Sequence, residues 1–300
     1  MRRFSGFALL YHIIFAVLLL LLQGCARPVL QTLPASDDEI QFAASAFTSY
    51  KILQDECACC LDAEVDATLS VSGRFSNNHT RKLSGYLQAM EPGYIKFVAL
   101  NPLGQPFLIL LSNGKIFKSV NVLEGKAYLG SVNSETFKKI VPPGFDPGFS
   151  YYWLTGRLVP GDVEILKVRR DRKQNGYWLQ IRYEQSGTES MILFNPEESV
   201  VMRQIVMSAS GDYLVDLVYG EYQARHMKEK GAGDRDSEIT GSTGSREKLC
   251  KIPTKLSVSS SVGAEKKIDL ELFSIIPDTK FSPDDFVLEI PDNIELLIVN

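Results

Sequence analysis

The stretch YIKFVALNPLGQPFLILLSNGKIFKSV, residues 94–120, decides the fold of this chain. It contains three runs rich in β-branched and aromatic residues, separated by two turn motifs, NPLG at 101–104 and NG at 113–114. Asn-Gly between two strand-like runs is a strong signal of a tight hairpin. Strands joined by such short connections pair in antiparallel fashion, so this stretch predicts part of a β-meander.

The strand pattern extends in both directions from this stretch. Apolar and polar residues alternate from Ala63 to Val71, as expected of a strand with one buried face. Further strand-like runs occupy 82–90, 126–131, 162–169, 176–184, 188–194, 200–207, 211–220, 252–261 and 265–273, and apolar stretches at 281–290 and 294–299 end the chain. We therefore predict a mainly β protein with some α structure, in which about 11–12 strands form a curved antiparallel sheet, an incomplete β-barrel.

Helical patterns accompany the predicted sheet at two places. Ser36 and Glu39 form a capping box that begins a helix reaching to about residue 56, with a mostly apolar stripe at helical spacing. Residues 133–140 and 149–154 are also helical in pattern, and they flank the proline-rich segment 141–148, which cannot be regular structure. We expect the N-terminal helix to pack on the sheet through its apolar stripe and the mid-chain helices to form a lid. A helix across the open mouth of the sheet would enclose an apolar cavity.

The N-terminus is typical of an exported lipoprotein. Arg2 and Arg3 precede an apolar run that ends in LQGC at 22–25, and this order of charge, apolar run and small residues marks a targeting segment. The LQGC motif resembles the lipobox of bacterial lipoproteins, in which the cysteine is acylated and the residues before it are removed. This resemblance implies a signal peptide at 1–24 and lipidation of Cys25. The alternative is an uncleaved membrane anchor, for which the apolar run is slightly short.

The lipobox also implies a location and a domain arrangement. Cys25 is followed by Ala26 and not by aspartate, which in lipoproteins of the enterobacterial type implies transport to the outer membrane. We therefore expect a chain anchored by acyl groups, palmitate among them, on the periplasmic side of the outer membrane. Residues 25–35 would be a tether, and residues 36–300 a single domain with a mobile loop at 226–249, where Gly, Ser and charged residues dominate.

Composition and motifs argue against several functions. Removal of Arg2 and Arg3 with the signal peptide changes the formal net charge from −4 to −6, so no basic surface for nucleic acid is expected. The sequence contains no recognised catalytic motif, and the two histidines of the mature chain lack a ligand-like spacing. We therefore expect no enzyme activity, no metal and no cofactor.

Four cysteines remain after Cys25, and an exported protein retains its disulfides. Sequence alone allows three full pairings of Cys57, Cys59, Cys60 and Cys250. A structural link between Cys250 and the 57–60 segment is the simplest interpretation. The alternative is a redox or zinc site at the C-x-x-C spacing of 57–60.

Three features resemble the family of outer-membrane lipoprotein receptors (LolB) and periplasmic lipoprotein carriers (LolA). A strand runs into NPLG at 94–104, the region that begins at Phe137 ends in the turn WLTG at 153–156, and the chain has the order lipobox, helix, meander. The segment FVLEIP at 286–291 also resembles the end of the carrier domains. The loop at 226–249, the additional cysteines and the greater length depart from the receptor pattern.

The resemblance implies an acceptor and inserter of acylated lipoproteins. Such a protein would take its cargo from a periplasmic LolA-type carrier, bind the acyl chains in an apolar cavity and release them to membrane lipid. The membrane-insertion loop would consist of Asn101, Pro102, Leu103 and Gly104, with Leu103 projecting from the hairpin tip. The alternative is an ordinary turn leucine that folds back on the sheet.

The candidate lid and cavity residues are Phe97, Phe137, Phe149, Tyr152 and Trp153, for which the alternative is plain core packing. Two other functions are compatible with the same patterns. One is a binding module for another lipid or glycolipid, and the other is a structural or interaction lipoprotein of the cell envelope with a filled core.

Overall fold

One sheet of fifteen strands dominates the protein. The computed structural model describes residues 30–55, 57, 60–73, 76–141, 146–173, 176–227, 248–260, 265–276 and 279–299. The strands are β1 (Thr32–Pro34), β2 (Cys60–Gly73), β3 (Ser76–Met90), β4 (Tyr94–Leu100), β5 (Pro106–Ser112), β6 (Ile116–Asn121), β7 (Lys126–Ser131), β8 (Val163–Asp171), β9 (Tyr177–Tyr183), β10 (Glu189–Asn195), β11 (Val200–Met207), β12 (Tyr213–Met227), β13 (Lys248–Ser260), β14 (Glu265–Ile276) and β15 (Glu295–Val299). The predicted class, a mainly β protein with an open and curved sheet, is confirmed.

The strand order consists of two meanders placed side by side. Strands β2 to β7 follow one another across the sheet, as do β8 to β14, and the pairing of β14 with β2 joins the two meanders. The short strands β1 and β15 lie at the two edges, beside β8 and β7. Without these two edge strands the described sheet has thirteen strands, slightly more than the expected 11–12. Strand β15 is also the exception to the predicted antiparallel pairing, because it runs parallel to β7.

The turn at 113–114 is the tight hairpin that the sequence predicts. Gly114 has a positive φ of 82°. The carboxamide oxygen of Asn113 accepts hydrogen bonds from the backbone N–H groups of Lys115 and Ile116, at 3.0 Å each. The short connection therefore holds β5 and β6 in antiparallel register, with Ser112 opposite Phe117.

The N-terminal helix α1 (Asp37–Asp55) begins at the predicted capping box. The Glu39 carboxylate accepts a hydrogen bond from the backbone N–H of Ser36 at 2.9 Å, and the Ser36 hydroxyl accepts one from the backbone N–H of Glu39 at 3.3 Å. The bond from the Ser36 N–H lowers the pKa of the Glu39 carboxyl. This reciprocal pair satisfies backbone donors that a helix N-terminus leaves open.

The predicted packing of α1 on the sheet is confirmed, and α1 does not line the cavity described below. The rings of Phe47 and Tyr50 contact Phe194 of β10, with centroids 5.5 and 5.4 Å apart, so α1 covers the half of the sheet that contains β8 to β12. Gln54 fixes the helix there, because its side chain exchanges two hydrogen bonds with the backbone of Leu158, at 3.3 and 3.0 Å. The large fully buried side chains of the core beneath α1 are Phe47, Leu179, Ile181, Ile192, Phe194 and Leu217, whereas Trp178 and Ile205 belong to a separate cluster on the other face of the sheet.

The predicted lid lies between β7 and β8, but it consists of three short helical pieces and not two, because a 3₁₀ turn begins within the segment 141–148 that was predicted to be irregular. They are α2 (Glu135–Ile140), a 3₁₀ turn (Pro147–Phe149) and α3 (Ser150–Leu154). The Ser134 hydroxyl caps α2 by accepting from the backbone N–H of Phe137 at 3.2 Å. Gly156, with a positive φ of 66°, follows the end of α3 and turns the chain back towards the sheet.

Two predicted segment boundaries differ from the structure. Residues 32–34 of the predicted tether form β1, because they pair with β8 and add an edge strand. Residues 226 and 227 belong to β12, and 248 and 249 to β13, since these strands pair up to the register His226–Leu249 and Met227–Lys248. The rest of the predicted loop, the predicted signal peptide and Cys25 lie outside the described residues. Within the part of the chain that is described, no helix is long and apolar enough to cross a membrane.

A disulfide joins Cys57 to Cys250 and confirms the simplest of the predicted links. It ties the chain just after α1 to the start of β13. Cys60 is buried beside Met90 and Phe286 in a small separate apolar cluster. Cys59 lies outside the described residues.

Candidate functional site

The candidate site is an apolar cavity of about 220 Å³ between the lid and the concave face of the sheet. Its floor comes from β2 to β5 together with β13 and β14, and its roof comes from α2, α3 and the chain between them. The lining residues are Val65, Ala67, Leu69, Leu83, Leu87, Ile95, Phe97, Leu108, Leu110, Ser112, Phe137, Val141, Pro147, Ser150, Trp153, Leu154, Leu256, Val258, Ile268 and Leu270. No residue of α1 is among them.

Three of the five predicted lid and cavity residues line this space, and two do not. Phe97, Phe137 and Trp153 line it. Phe149 and Tyr152 instead pack against each other outside it, with ring centroids 6.5 Å apart. Helical spacing is the reason, because residues three and four apart share a face of a helix.

The cavity face of α3 follows the same spacing. Ser150, Trp153 and Leu154 face the cavity, whereas Tyr151 and Tyr152 stack edge to face with each other at 5.4 Å. Burial raises the pKa of the Tyr152 hydroxyl to about 12. The spacing i, i+3, i+4 was the sequence signal that could have identified Leu154 as a lining residue.

The strand prediction also identified only part of the floor. Val65 and Leu69 belong to the predicted buried face of residues 63–71 and line the cavity. Val71, near the end of β2, is exposed instead. Leu256, Val258, Ile268 and Leu270 were missed. Their alternation is visible in the sequence, but no local signal reveals that β14 pairs with β2, almost two hundred residues away in the chain.

The two serines of the lining add little polarity. The Ser112 hydroxyl donates to the carbonyl of Ile116 at 3.2 Å and accepts from the Gly114 N–H at 3.1 Å, so it is occupied within its own turn. The Ser150 hydroxyl is buried and has no hydrogen-bond partner among the described residues. The described lining residues therefore offer mainly hydrocarbon surface and include no ionisable group, which suits an alkyl chain.

One end of the cavity is closed by a close approach between the lid and two turns of the sheet. A Cβ at Gly93 would lie 2.5 Å from the carbonyl oxygen of Pro147, and a Cβ at Gly114 would lie 2.9 Å from Cα of Gly148. Larger residues at these turns would push the lid away from the sheet. The ammonium of Lys266 in β14 adds a second attachment, because it donates to the carbonyls of Lys138 and Val141 at the end of α2, at 3.4 Å each.

The predicted insertion loop forms the turn between β4 and β5. Asn101 braces it, since its carboxamide oxygen accepts from the backbone N–H groups of Leu103 and Gln105 at 2.9 and 3.0 Å. Gly104 has a positive φ of 78°. The Leu103 side chain is 83% exposed, so the leucine does not fold back on the sheet. A rigid turn thus presents an isolated apolar side chain to solvent.

The described residues contain no group of three or more His, Cys, Asp or Glu side chains that could hold a metal ion. Among the described residues, the buried charged side chain near the lid is that of Arg157, which donates to the Tyr151 hydroxyl at 2.8 Å. Arg157 is not among the residues that line the cavity.

No protein-family model matches this chain, and no curated protein matches it. Among solved structures, the chain is similar to a LolA superfamily protein from Nitrosomonas europaea, with 10% identity and a TM-score of 0.48 over 80% of this chain and 97% of that one. It is similar to a putative outer membrane lipoprotein-sorting protein domain from Vibrio parahaemolyticus, with 11% identity and a TM-score of 0.49 over 81% and 97%. It is also similar to a DUF1329 family protein from Desulfovibrio piger, with 10% identity and a TM-score of 0.48 over 82% and 97%.

Proposed function

We propose that this protein is an outer-membrane lipoprotein that accepts acylated lipoproteins and inserts them into the membrane. The observation that carries the proposal is the lidded apolar cavity, whose described lining residues include no ionisable group. A saturated chain gains free energy in such a space, at about 0.8 kcal/mol for each buried CH₂ group. This lining supports the binding of an acyl chain of a lipoprotein.

In this proposal the protein needs no cofactor and catalyses no reaction. Acyl chains on Cys25 hold it at the periplasmic side of the outer membrane, and a LolA-type carrier delivers the cargo. The cargo chain enters beneath the lid, whose short helices can separate from the sheet more easily than the strands from one another. Release to membrane lipid follows at Leu103, and a gradient of affinity for the acyl chain sets the direction.

The test is a transfer assay with the full chain reconstituted in lipid vesicles. A LolA-type carrier loaded with a fluorescent lipoprotein is added, and label is followed from the carrier to the protein and on to the lipid. Leu103→Glu places a charge at the tip, so we expect cargo to be accepted and the second step to slow about tenfold, corresponding to about 1.4 kcal/mol.

The matched control is Ile116→Glu. Ile116 is also an exposed apolar residue, at 50% exposure, but it lies at the opposite end of the meander. The control should transfer label at the rate of the unsubstituted chain. Equal slowing of both variants would contradict a specific role for Leu103.

A different cargo is the second candidate, because the same cavity would hold the tail of another lipid or glycolipid. If no label leaves the carrier but a labelled phospholipid or glycolipid is retained, that candidate replaces the first. If no hydrophobic probe is retained at all, the protein is a structural or interaction lipoprotein.

A further inference from the structure

The turn between β6 and β7 presents a second exposed leucine beside the insertion loop. In a meander the turns alternate between the two ends of the sheet, so residues 122–125 lie at the same end as 101–104. The backbone N–H of Val122 donates to the carbonyl of Phe107 at 2.9 Å, which joins the two hairpins directly. Leu123 is 78% exposed, nearly as much as Leu103.

The two turns are built in the same way. Their sequences are NPLG at 101–104 and NVLEG at 121–125, each with asparagine first, leucine third and glycine last. The Asn121 carboxamide accepts from the backbone N–H of Glu124 at 3.2 Å, and Gly125 has a positive φ of 63°. Each turn is therefore closed by its own asparagine and glycine, which leaves the leucine side chain pointing out.

The second turn is also close to the cavity. Leu108 lines the cavity and is the strand partner of Asn121, the first residue of the turn. Since neighbouring strands are about 4.8 Å apart, the two hairpins that carry the turns are about 10 Å apart. Both tips therefore project from the end of the sheet at which Leu108 lines the cavity floor.

We propose that the membrane-contact surface comprises both tips, Leu103 together with Val122 and Leu123, and that its partner is a lipid bilayer. The inference rests on the proposed function, which assigns the first tip to the membrane. Two narrow tips would bury far less surface than the roughly 1,000 Å² that a specific protein interface buries. Apolar side chains can enter a bilayer without a partner surface of complementary shape. The charged residues Glu124 and Lys126 follow Leu123 and would keep the insertion at headgroup depth.

The experiment measures insertion depth in the full chain, reconstituted in vesicles of phosphatidylethanolamine and phosphatidylglycerol with brominated acyl chains. Tryptophan replaces Leu103, Leu123 or Ile116 in separate variants, and its emission is compared with that in unbrominated vesicles. The native Trp153 and Trp178 are buried, and the unsubstituted chain gives their background. All three substituted side chains are at least half exposed, so the fold should tolerate them.

We expect L123W to lose emission to the same extent as L103W, and I116W to lose none beyond the background. Quenching of L103W alone would overturn the two-tip inference and leave the proposed insertion loop intact. Absence of quenching in both L103W and L123W would overturn the inference and the membrane role of the first loop together. Quenching of I116W to the same extent would contradict an oriented contact.

Discussion

The hydroxyl of Tyr219 in β12 is buried and has no hydrogen-bond partner among the described residues. Burial raises its pKa well above the usual value, and the neighbouring Tyr50 and Tyr183 raise it further. A buried polar group without a partner costs about 1–3 kcal/mol. We expect Tyr219→Phe to increase the free energy of unfolding in urea at neutral pH by about 1 kcal/mol. Tyr50→Phe is the contrasting variant and should lower it, since the Tyr50 hydroxyl donates to the carbonyl of Gly156 at 3.0 Å.

The same tyrosine also contributes to alkaline unfolding. A folded-state pKa above the unfolded value near 10 means that the folded chain keeps a proton that the unfolded chain releases. The stabilisation is complete below about pH 10 and is lost as the pH rises from there through the folded-state pKa. Tyr50, Tyr183 and Tyr222 have raised pKa values from burial as well. The free energy of unfolding should therefore fall as the pH rises above about 10, and less steeply in Tyr219→Phe; identical slopes would contradict this assignment.

At the level of single residues, the sequence indicated the apolar character of the site more readily than the residues that line it. Leu103 could be predicted to project, because the turn Asn-Pro-Leu-Gly between two strands leaves its third residue, the leucine, at the tip. Tyr152 could not be separated from Trp153 by residue type, since both are aromatic and adjacent. The direction of each side chain depends on where α3 begins, and the helix begins at Ser150, one residue later than the aromatic pattern suggested.

Among the elements, the lid is attached to β14 through the side chain of Lys266. The Lys266 ammonium donates to two carbonyls at the C-terminal end of α2, where a helix has open acceptors and favours positive charge. Lys266→Met should release that end of the lid. We expect amide hydrogen exchange in α2 and α3 to become about fivefold faster, corresponding to a loss of about 1 kcal/mol.

Lys267→Met is the control for this change. Lys267 is the next residue in β14, so its side chain points to the other face of the sheet, where it pairs with Asp269 at 2.8 Å. Exchange in the lid should be unchanged in this variant. An equal acceleration in both variants would attribute the effect to the stability of β14 and not to the lid attachment.

The elements themselves were largely visible in the sequence, but their placement was not. The capping box fixed the start of α1, and the turn motifs separated the strands, because these are local signals. The choice of surface for α1 is non-local. It depends on Tyr50 and Gln54 reaching the chain after α3, more than a hundred residues away. β1 gave no signal because three residues ending in proline carry no period.

On the scale of the whole molecule, the sheet divides into a filled half and a hollow half. Under α1, large side chains from β9 to β12 are fully buried. Under the lid, the lining side chains leave a cavity of about 220 Å³. A continuous cluster of buried apolar residues runs through both halves. The cavity is therefore a gap at one end of this apolar interior and not a separate pocket on the surface. For the proposed function, this division would let one half maintain stability while the other takes up and releases the acyl chain.

Two alanines of the same strand can test this division. Ala63 and Ala67 in β2 point to the same face of the sheet and are both buried, but Ala67 lines the cavity whereas Ala63 does not. Additional carbons in a close-packed core cost about 1–3 kcal/mol. We therefore expect Ala63→Leu to lower the free energy of unfolding by that amount and Ala67→Leu to change it by less than about 1 kcal/mol. Ala67→Leu should also bind a fluorescent fatty acid more weakly than the unsubstituted chain, because its side chain occupies the space that the alkyl chain requires. Equal destabilisation by the two substitutions, with no binding of the fatty acid to the unsubstituted chain, would mean that the core is filled in solution and that the protein acts through its surface.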